Sequence, residues 1–267
     1  MANRLDPAAA AHYHLLLVDA RVRAADVEGL ARSRFPYAGR LDLHTIAFGP
    51  QVQLTGPWDI PPGHVDALHA PSWVTQAYAA QVPQVRAGAL PTALSGLDPI
   101  QDAYAQAVPA GLELDVLSAL RAMARRLGGA LHLAASAVTI VPDPEEAVDL
   151  TVFAPRSLTP SQVGALLPDF QLRHRSRSSW EGVLPTTSGE LALAATRHPM
   201  PPLALAAYEW AGLSPRAYEV RWHADEQVAD FRAVRRTVIE HVEWVAARLA
   251  GQIDGVVLDD DGFLVEL

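Results

Sequence analysis

The chain has 267 residues, 50% hydrophobic and 19% charged, which argues against global disorder and allows one large domain or two ordinary ones. All 21 cationic residues are arginine and no cysteine is present, which excludes Walker A loops, Schiff-base lysines, thiol nucleophiles, disulfides and thiolate-rich zinc sites. The formal net charge of −9 at pH 7 argues against a nucleic-acid partner, because phosphate contacts require a basic surface.

The amino-terminal residues indicate where the protein acts. Residues 1–11 lack the strongly apolar stretch of a secretory signal, and the chain has no uninterrupted apolar segment of roughly 20 residues. We therefore expect a cytoplasmic protein with no membrane partner.

The first third of the chain alternates short apolar runs with turn residues. Residues 12–19 predict a strand that leads into a helix over 25–33, and residues 41–48 predict a second strand by their alternation. Residues 49–109 are rich in proline and glycine. We expect only short elements there, such as a helix over 72–81.

The middle of the chain contains the clearest helix. Over residues 112–127, apolar side chains recur at spacings of three and four, and glycines follow at 128 and 129. Residues 130–141 and 149–153 predict the two strands of a β-hairpin. Thr159 is the expected N-cap of a short helix that ends before Pro168, and residues 170–175 predict a further strand.

The last third begins with a polar, serine-rich stretch over 175–189, which predicts a mobile connection. Residues 190–196 and 217–222 predict strands, and residues 225–250 predict the longest helix. The tail over 255–267 has two apolar runs around three aspartates and a glycine, which predicts a β-hairpin.

Two stretches have the same outline and suggest a duplicated α/β unit. Residues 117–143 and 238–262 each run from a helix through a small-residue stop into a strand and an acidic turn. The alternative is that two unrelated helix-to-strand junctions share one way of ending a helix. We predict an α+β fold with mixed or antiparallel sheets and packed helices, divided into residues 1–109 and a second domain over 110–267.

Several segments resemble those of a family of proteins of unknown function from high-GC Gram-positive bacteria. They are DARVRAADVEGLA, LDPIQDAYAQAVPAGLELDVL, AMARRLGG, AYEVRWHA and GVVLDDDGFLVE. The resemblance implies a stand-alone bacterial protein and brings no activity, cofactor or catalytic motif.

Two histidines near the start of the first predicted strand are candidate metal ligands. His12 and His14 are separated by one residue, so a strand would point both imidazoles to one face. His44, His64, His69 and Asp66 follow in the same third of the chain. The alternative is that these histidines are satisfied in the core or face solvent.

Arginines on the strand predicted near residue 173 are a candidate anion site. Arg173, Arg175 and Arg177 would share one face of a strand and could grip a phosphate or carboxylate with paired hydrogen bonds. Ser176, Ser178 and Ser179 lie beside them. The alternative is a solvated, ion-paired face.

Three functions remain open. The first is a non-enzymatic binding or interaction protein that self-associates through an apolar helix or a strand edge. The second is a metal-dependent hydrolase built around His12 and His14. The third is recognition of a phosphorylated or carboxylate metabolite by Arg173 and Arg175. No motif specifies a cofactor.

Overall fold

The computed structural model describes residues 4–6, 10–143, 148–198, 200–225, 228 and 231–267. Its helices are α1 (Ala24–Arg34), α2 (Pro62–Val65), α3 (Pro99–Ala103), α4 (Gly111–Leu127), α5 (Pro160–Leu166) and α6 (Phe231–Ile253). Short 3-10 helices lie at Thr92–Leu94, Leu203–Leu205 and Glu209–Leu213.

The strands form two separate sheets. The first is made of β1 (His14–Val18), β2 (Gly39–Asp42), β3 (Thr45–Gly49), β4 (Val52–Asp59), β5 (Gln76–Gln81), β6 (Ala130–Leu133) and β7 (Val138–Ile140). The second is made of β8 (Leu150–Ala154), β9 (Gln171–Arg175), β10 (Trp180–Thr186), β11 (Gly189–Arg197), β12 (Arg216–Ala224), β13 (Val256–Asp259) and β14 (Leu264–Val265).

All strand pairs within these sheets are antiparallel. Together with the packed helices they confirm the α+β prediction. Among the residues that the structure describes, no helix combines the length and the apolar character needed to cross a membrane.

The two sheets share one topology. The first has the order β2-β3-β4-β5-β1-β6-β7, and the second, written from its other edge, has the order β9-β10-β11-β12-β8-β13-β14. In each, a helix follows the first strand along the chain (α1 after β1, α5 after β8), and a longer helix precedes the strand that pairs with it on its other side (α4 before β6, α6 before β13). Four neighbouring strands of each sheet and these two helices form a ferredoxin-like βαββαβ unit, which is present twice. The strands are β4-β5-β1-β6 in the first sheet and β11-β12-β8-β13 in the second. The predicted duplication is therefore larger than the stretches that suggested it.

The chain divides into compact units at residues 144 and 145, not at the predicted boundary between residues 109 and 110. Helix α4 belongs to the first unit because it packs on β1 and β6. The proline- and glycine-rich stretch over 49–109, with which the first predicted domain ended, lies inside this unit. Its last part belongs to residues 82–110, which connect β5 to α4.

Two helices begin and end as their sequences predict. Gly128 ends α4 in the left-handed conformation, with a φ of 61°, and its N–H donates to the carbonyls of Ala124 and Arg125. Thr159 caps α5: its hydroxyl accepts from the Gln162 N–H, while the Gln162 side chain accepts from the Thr159 N–H.

Other predictions are wrong where a short apolar run fits both the helical period and the strand period. The helix expected over 72–81 is the buried strand β5, which pairs with β1 and β4. The hairpin expected between 130–141 and 149–153 does not form. Residues 130–140 already make the hairpin β6–β7, whose turn places Ala135 and Ala137 at positive φ, and β8 belongs to the other sheet. Alanine gives no sequence signal for such a turn.

Two more segments differ from their predictions. The connection expected to be mobile over 175–189 contains strand β10, paired with both β9 and β11. Residues 41–48 form parts of the hairpin β2–β3 rather than one strand. The predicted helix over 225–250 is α6, although residues 226–227 and 229–230 of that prediction lie outside the described residues. The acidic turn at residues 145–146 does too.

Each sheet is covered on both faces. In the first, His14 faces α4, whereas Leu15 and Leu17 pack with Ile60 and Leu68 from the connection between β4 and β5. In the second, one face packs on α5 and α6, and Phe153 on the other face packs with residues of the connection between β11 and β12. This double coverage explains why β1 and β8 are almost wholly apolar.

Candidate functional site

A pocket of about 120 Å³ lies in the second unit. Residues 157–160, where the connection after β8 enters α5, form one wall, and residues 176–179, the turn between β9 and β10, form the other. Its charged lining consists of Arg175, Arg177 and Arg216. Hydroxyl groups come from both walls: Ser157, Thr159, Ser176, Ser178 and Ser179.

The floor of this pocket is a row of residues across the second sheet. Trp180 on β10 lies opposite Arg175 on β9 and Ala195 on β11, and Ala195 lies opposite Tyr218 on β12. Trp180, Ala195 and Tyr218 are all buried. A cross-strand row of this kind presents its side chains on one face, so Arg175 extends the floor to the edge of the sheet.

The wall at residues 157–160 is held onto the floor by two hydrogen bonds. The Leu158 N–H donates to the Tyr218 hydroxyl at 2.6 Å, and the Trp180 indole N–H donates to the Leu158 carbonyl at 3.1 Å. Both backbone groups of Leu158, which belong to successive peptide links, are thus tied to aromatic side chains of the sheet. This wall is preorganised.

The serine turn is equally fixed. The Ser176 Oγ accepts the N–H groups of Ser178 and Ser179, at 3.3 and 3.1 Å, and the Ser176 N–H donates to the Ser179 carbonyl. The guanidinium of Arg216 donates to the Ser178 carbonyl from β12. Arg216 therefore fixes the turn and adds its positive charge to the pocket.

The pocket carries positive charge without a counter-ion of its own. Within the described ranges, no carboxylate lies within ion-pairing distance of Arg175, Arg177 or Arg216. Guanidinium groups present planar pairs of N–H donors that match phosphate and carboxylate oxygens. The arrangement can bind an anion.

The two arginines predicted together have different surroundings. Arg175 lines the pocket, whereas Arg173 extends toward β11, where its guanidinium lies 3.9 Å from the Glu190 carboxylate. A register shift between Glu181 and Gly182 on β10 leaves Arg173 without a paired position. The bulge separates two side chains that a regular strand would place on one face.

Sequence reasoning missed Arg216. It begins β12, 41 positions after Arg175, and only the order of strands in the sheet brings the two to the same pocket. A lone arginine after a proline gives no local signal for this placement.

His14, one of the two predicted metal ligands, uses both of its ring nitrogens. Its Nδ1 accepts the Ala134 N–H at 3.2 Å, and its Nε2 lies 3.3 Å from Glu113 Oε1. Because Nδ1 is an acceptor, the neutral ring carries its proton on Nε2 and donates it to Glu113. A metal ion at either nitrogen would have to replace one of these bonds.

Burial lowers the pKa of His14, against the raising effect of Glu113. A second proton would place Nδ1–H against the Ala134 N–H, so the structure favours the neutral imidazole.

His12, the other predicted ligand, is exposed and lies in the turn before β1 rather than on the strand. It does line one cavity with His14, about 370 Å³ in volume, together with Gln51, Gln81 and Gln84. Within the described residues, no group of three or more histidine, aspartate or glutamate side chains is placed to hold a metal ion.

Glu113 is a further buried group that sequence reasoning missed. It has no exposed surface, and its carboxylate accepts from the Arg86 guanidinium at 2.6 Å and from the Val85 N–H at 2.8 Å, in addition to His14. An acid in line with Leu117 and Leu120 on the apolar stripe of α4 was the available signal.

No protein-family model matches the chain, and no curated protein or solved structure matches it.

Proposed function

We propose that the protein is a cytoplasmic binding protein for a small anionic ligand, which carries a phosphate or carboxylate group and is held in the second unit by Arg175, Arg177 and Arg216. The observation that carries this proposal is the convergence of these three side chains, from β9, the turn after it and β12, on one pocket whose described surroundings supply no carboxylate to pair them.

The size and walls of the pocket suit one anionic group. A volume of about 120 Å³ is far below the roughly 300–1,000 Å³ of pockets that enclose drug-sized ligands. The remainder of a larger ligand would extend into solvent beside the exposed Arg175 and Arg177. The hydroxyl groups of the serine turn add donors around the same oxygens.

The chemistry of the donors favours binding over proton transfer. An arginine side chain stays charged at neutral pH and therefore cannot act as a general acid or base. Serine hydroxyl groups that already take part in the turn, such as Ser176, add hydrogen bonds rather than a free nucleophile.

The test is calorimetric titration of inorganic phosphate into the full chain and into two single variants. Arg175→Ala removes a pocket guanidinium, and we expect a rise in Kd of about tenfold, since a charge-assisted hydrogen bond contributes about 1.5–3 kcal/mol. Arg173→Ala is the matched control, because it removes an arginine of the same strand whose charge is directed to Glu190.

The proposal predicts an unchanged Kd for Arg173→Ala. It fails if phosphate, sulfate and acetate all show no saturable binding to the unmodified protein. It also fails if the two variants weaken binding equally, since that would indicate a general effect of net charge.

A further inference from the structure

A second cavity lies in the first unit, far along the chain from the arginine pocket and independent of the function proposed for it. It has a volume of about 480 Å³, within the roughly 300–1,000 Å³ typical of small-molecule sites. Most of its wall consists of Leu5, Leu68 and five alanines: Ala10, Ala11, Ala67, Ala135 and Ala137. Its polar lining is His64, His132 and Ser136.

The imidazole of His132 has a defined tautomer. Its Nδ1 lies 2.9 Å from the Thr139 hydroxyl, and that hydroxyl donates its single proton to the Leu68 carbonyl. Thr139 must therefore accept the hydrogen bond from His132, which places the imidazole proton on Nδ1. In the neutral ring, Nε2 is left with a lone pair and acts as an acceptor.

The two other polar side chains differ in what they can offer. Ser136 is satisfied locally, since its hydroxyl donates to the Leu133 carbonyl at 2.9 Å and accepts the Val138 N–H. His64 has a buried Nδ1 with no hydrogen-bond partner in the described part of the chain. Because this nitrogen has almost no accessible surface, it is closed to a ligand in the cavity, and His132 is the side chain that can contact one.

The lining of the cavity disfavours a charged ligand. The described residues that line the cavity include no carboxylate and no guanidinium, and a charged ligand would lose its hydration without a compensating partner. Burial also lowers the pKa of His132, so its imidazole is neutral at neutral pH. An apolar wall with one acceptor nitrogen, Nε2 of His132, suits an apolar molecule that bears a hydroxyl group.

We propose that this cavity binds a small, neutral, mainly apolar molecule through a single hydroxyl group, which donates its proton to Nε2 of His132. Phenol is the simplest probe of this class.

The experiment is titration of the full-length protein, followed by ligand-observed NMR, with three probes of similar size. Phenol has the hydroxyl, toluene has the apolar body alone, and benzoate has a charge. We expect saturable binding of phenol, a Kd at least about fivefold weaker for toluene because one hydrogen bond is lost, and no binding of benzoate in this cavity.

Two variants locate the effect. His132→Phe removes the acceptor and keeps an apolar ring, so phenol should fall to the affinity of toluene. Ala67→Trp fills the cavity, so both ligands should be lost. His44→Phe, on the exposed turn between β2 and β3, is the matched control and should bind phenol as the unmodified protein does.

The proposal is overturned if phenol shows no saturable binding, if toluene binds as tightly as phenol, or if Ala67→Trp leaves phenol binding intact. Ala67→Trp alters a wall residue and leaves the His132 hydrogen bonds in place. It therefore keeps the test decisive if His132→Phe does not fold.

Discussion

The Glu113 carboxylate receives hydrogen bonds from three directions in the core of the first unit: from His14 on β1, from Arg86, and from the Val85 N–H. The guanidinium of Arg86 also stacks on Tyr104, 3.8 Å from the ring centroid. Val85, Arg86 and Tyr104 all belong to the long connection over 82–110, which has no counterpart in the second unit. Glu113 thus attaches this connection to the sheet.

Replacement of Glu113 tests that role. We expect Glu113→Ala to lower the free energy of unfolding by about 3 kcal/mol, because it leaves a partly buried guanidinium and a buried imidazole without their acceptor. Urea denaturation measures the change. Glu240→Ala removes an acid from the exposed i,i+4 pair with Arg236 and should cost no more than about 0.5 kcal/mol. Equal losses in the two variants would contradict the assignment.

At the scale of single residues, the sequence predicts which type of side chain lines a site better than it predicts which individual residues meet there. It pointed to arginines near residue 175, and Arg175 does line a pocket. The structure places Arg173, beside a bulge, near Glu190, and it brings Arg216 to the pocket from another strand. Bulges and strand order depend on pairing between distant segments, which local patterns do not encode.

At the scale of elements, the edge position of strand β9 accounts for some of its arginines. It is an edge strand of the second sheet and all five of its residues are exposed. Charged side chains on an edge strand resist pairing with another chain, which accounts for an arginine such as Arg173. That reason does not apply to Arg216, because β12 lies between β8 and β11. Its guanidinium instead holds the serine turn through the Ser178 carbonyl and adds positive charge to the pocket.

Two tyrosines occupy equivalent places in the duplicated units and differ in their hydrogen bonds. Tyr78 lies opposite Leu16, the third residue of β1, and Tyr218 opposite Val152, the third residue of β8. The Tyr218 hydroxyl accepts from the Leu158 N–H, whereas the Tyr78 hydroxyl is buried with no partner among the described residues. Burial raises the pKa of Tyr78 to about 12.

These tyrosines give a matched pair of variants. Tyr218→Phe should lower the free energy of unfolding of its unit by about 1.5 kcal/mol, since a buried N–H loses its acceptor. Tyr78→Phe removes a hydroxyl that has no such role and should leave stability unchanged or raise it. Thermal and urea unfolding of both variants check this. Unchanged stability of Tyr218→Phe would show that the pocket wall does not depend on this hydroxyl.

Helices were predicted better than strands, for a physical reason. The apolar stripe and the glycine C-cap of α4, and the Thr159 N-cap of α5, are all formed by residues close together in the sequence. Strand β5 is a short alanine-rich run whose identity comes from pairing with β1 and β4, and β10 accommodates the ring of Phe170 against Gly182. The pairing partners of β5 lie far apart in the sequence, and the contact in β10 depends on the absence of a side chain at Gly182. No local hydrophobic period therefore identifies these strands.

At the scale of the molecule, the repeated topology explains the domain boundary. A complete unit needs the second long helix and the strand after it, α4 and β6 in the first unit. A boundary at residue 109 leaves α4 and β6 outside the first domain. The prediction placed it there because the first predicted domain ends with the proline-rich stretch before α4.

Separate expression of fragments tests this division. We expect fragments 1–144 and 145–267 each to unfold cooperatively in circular dichroism. Fragment 1–109 should lack a cooperative transition, because β1 loses its neighbour β6 and the helix that covers it. A cooperative transition in fragment 1–109 would restore the boundary predicted from composition.

The net charge of −9 makes the arginine pocket a local exception on an acidic protein. Long-range attraction of an anion is therefore weak, and binding must come from short-range hydrogen bonds, which salt screens less than distant charges.

The most direct measurement is a phosphate titration followed by NMR, with the arginine Nε–H and the backbone signals of the serine turn as reporters. The account predicts saturable shifts at Arg175, Arg177, Arg216 and Ser178, with one common Kd, and no saturable shift at Arg173. Shifts that grow linearly with phosphate at all arginines, or that saturate only elsewhere in the chain, would contradict it.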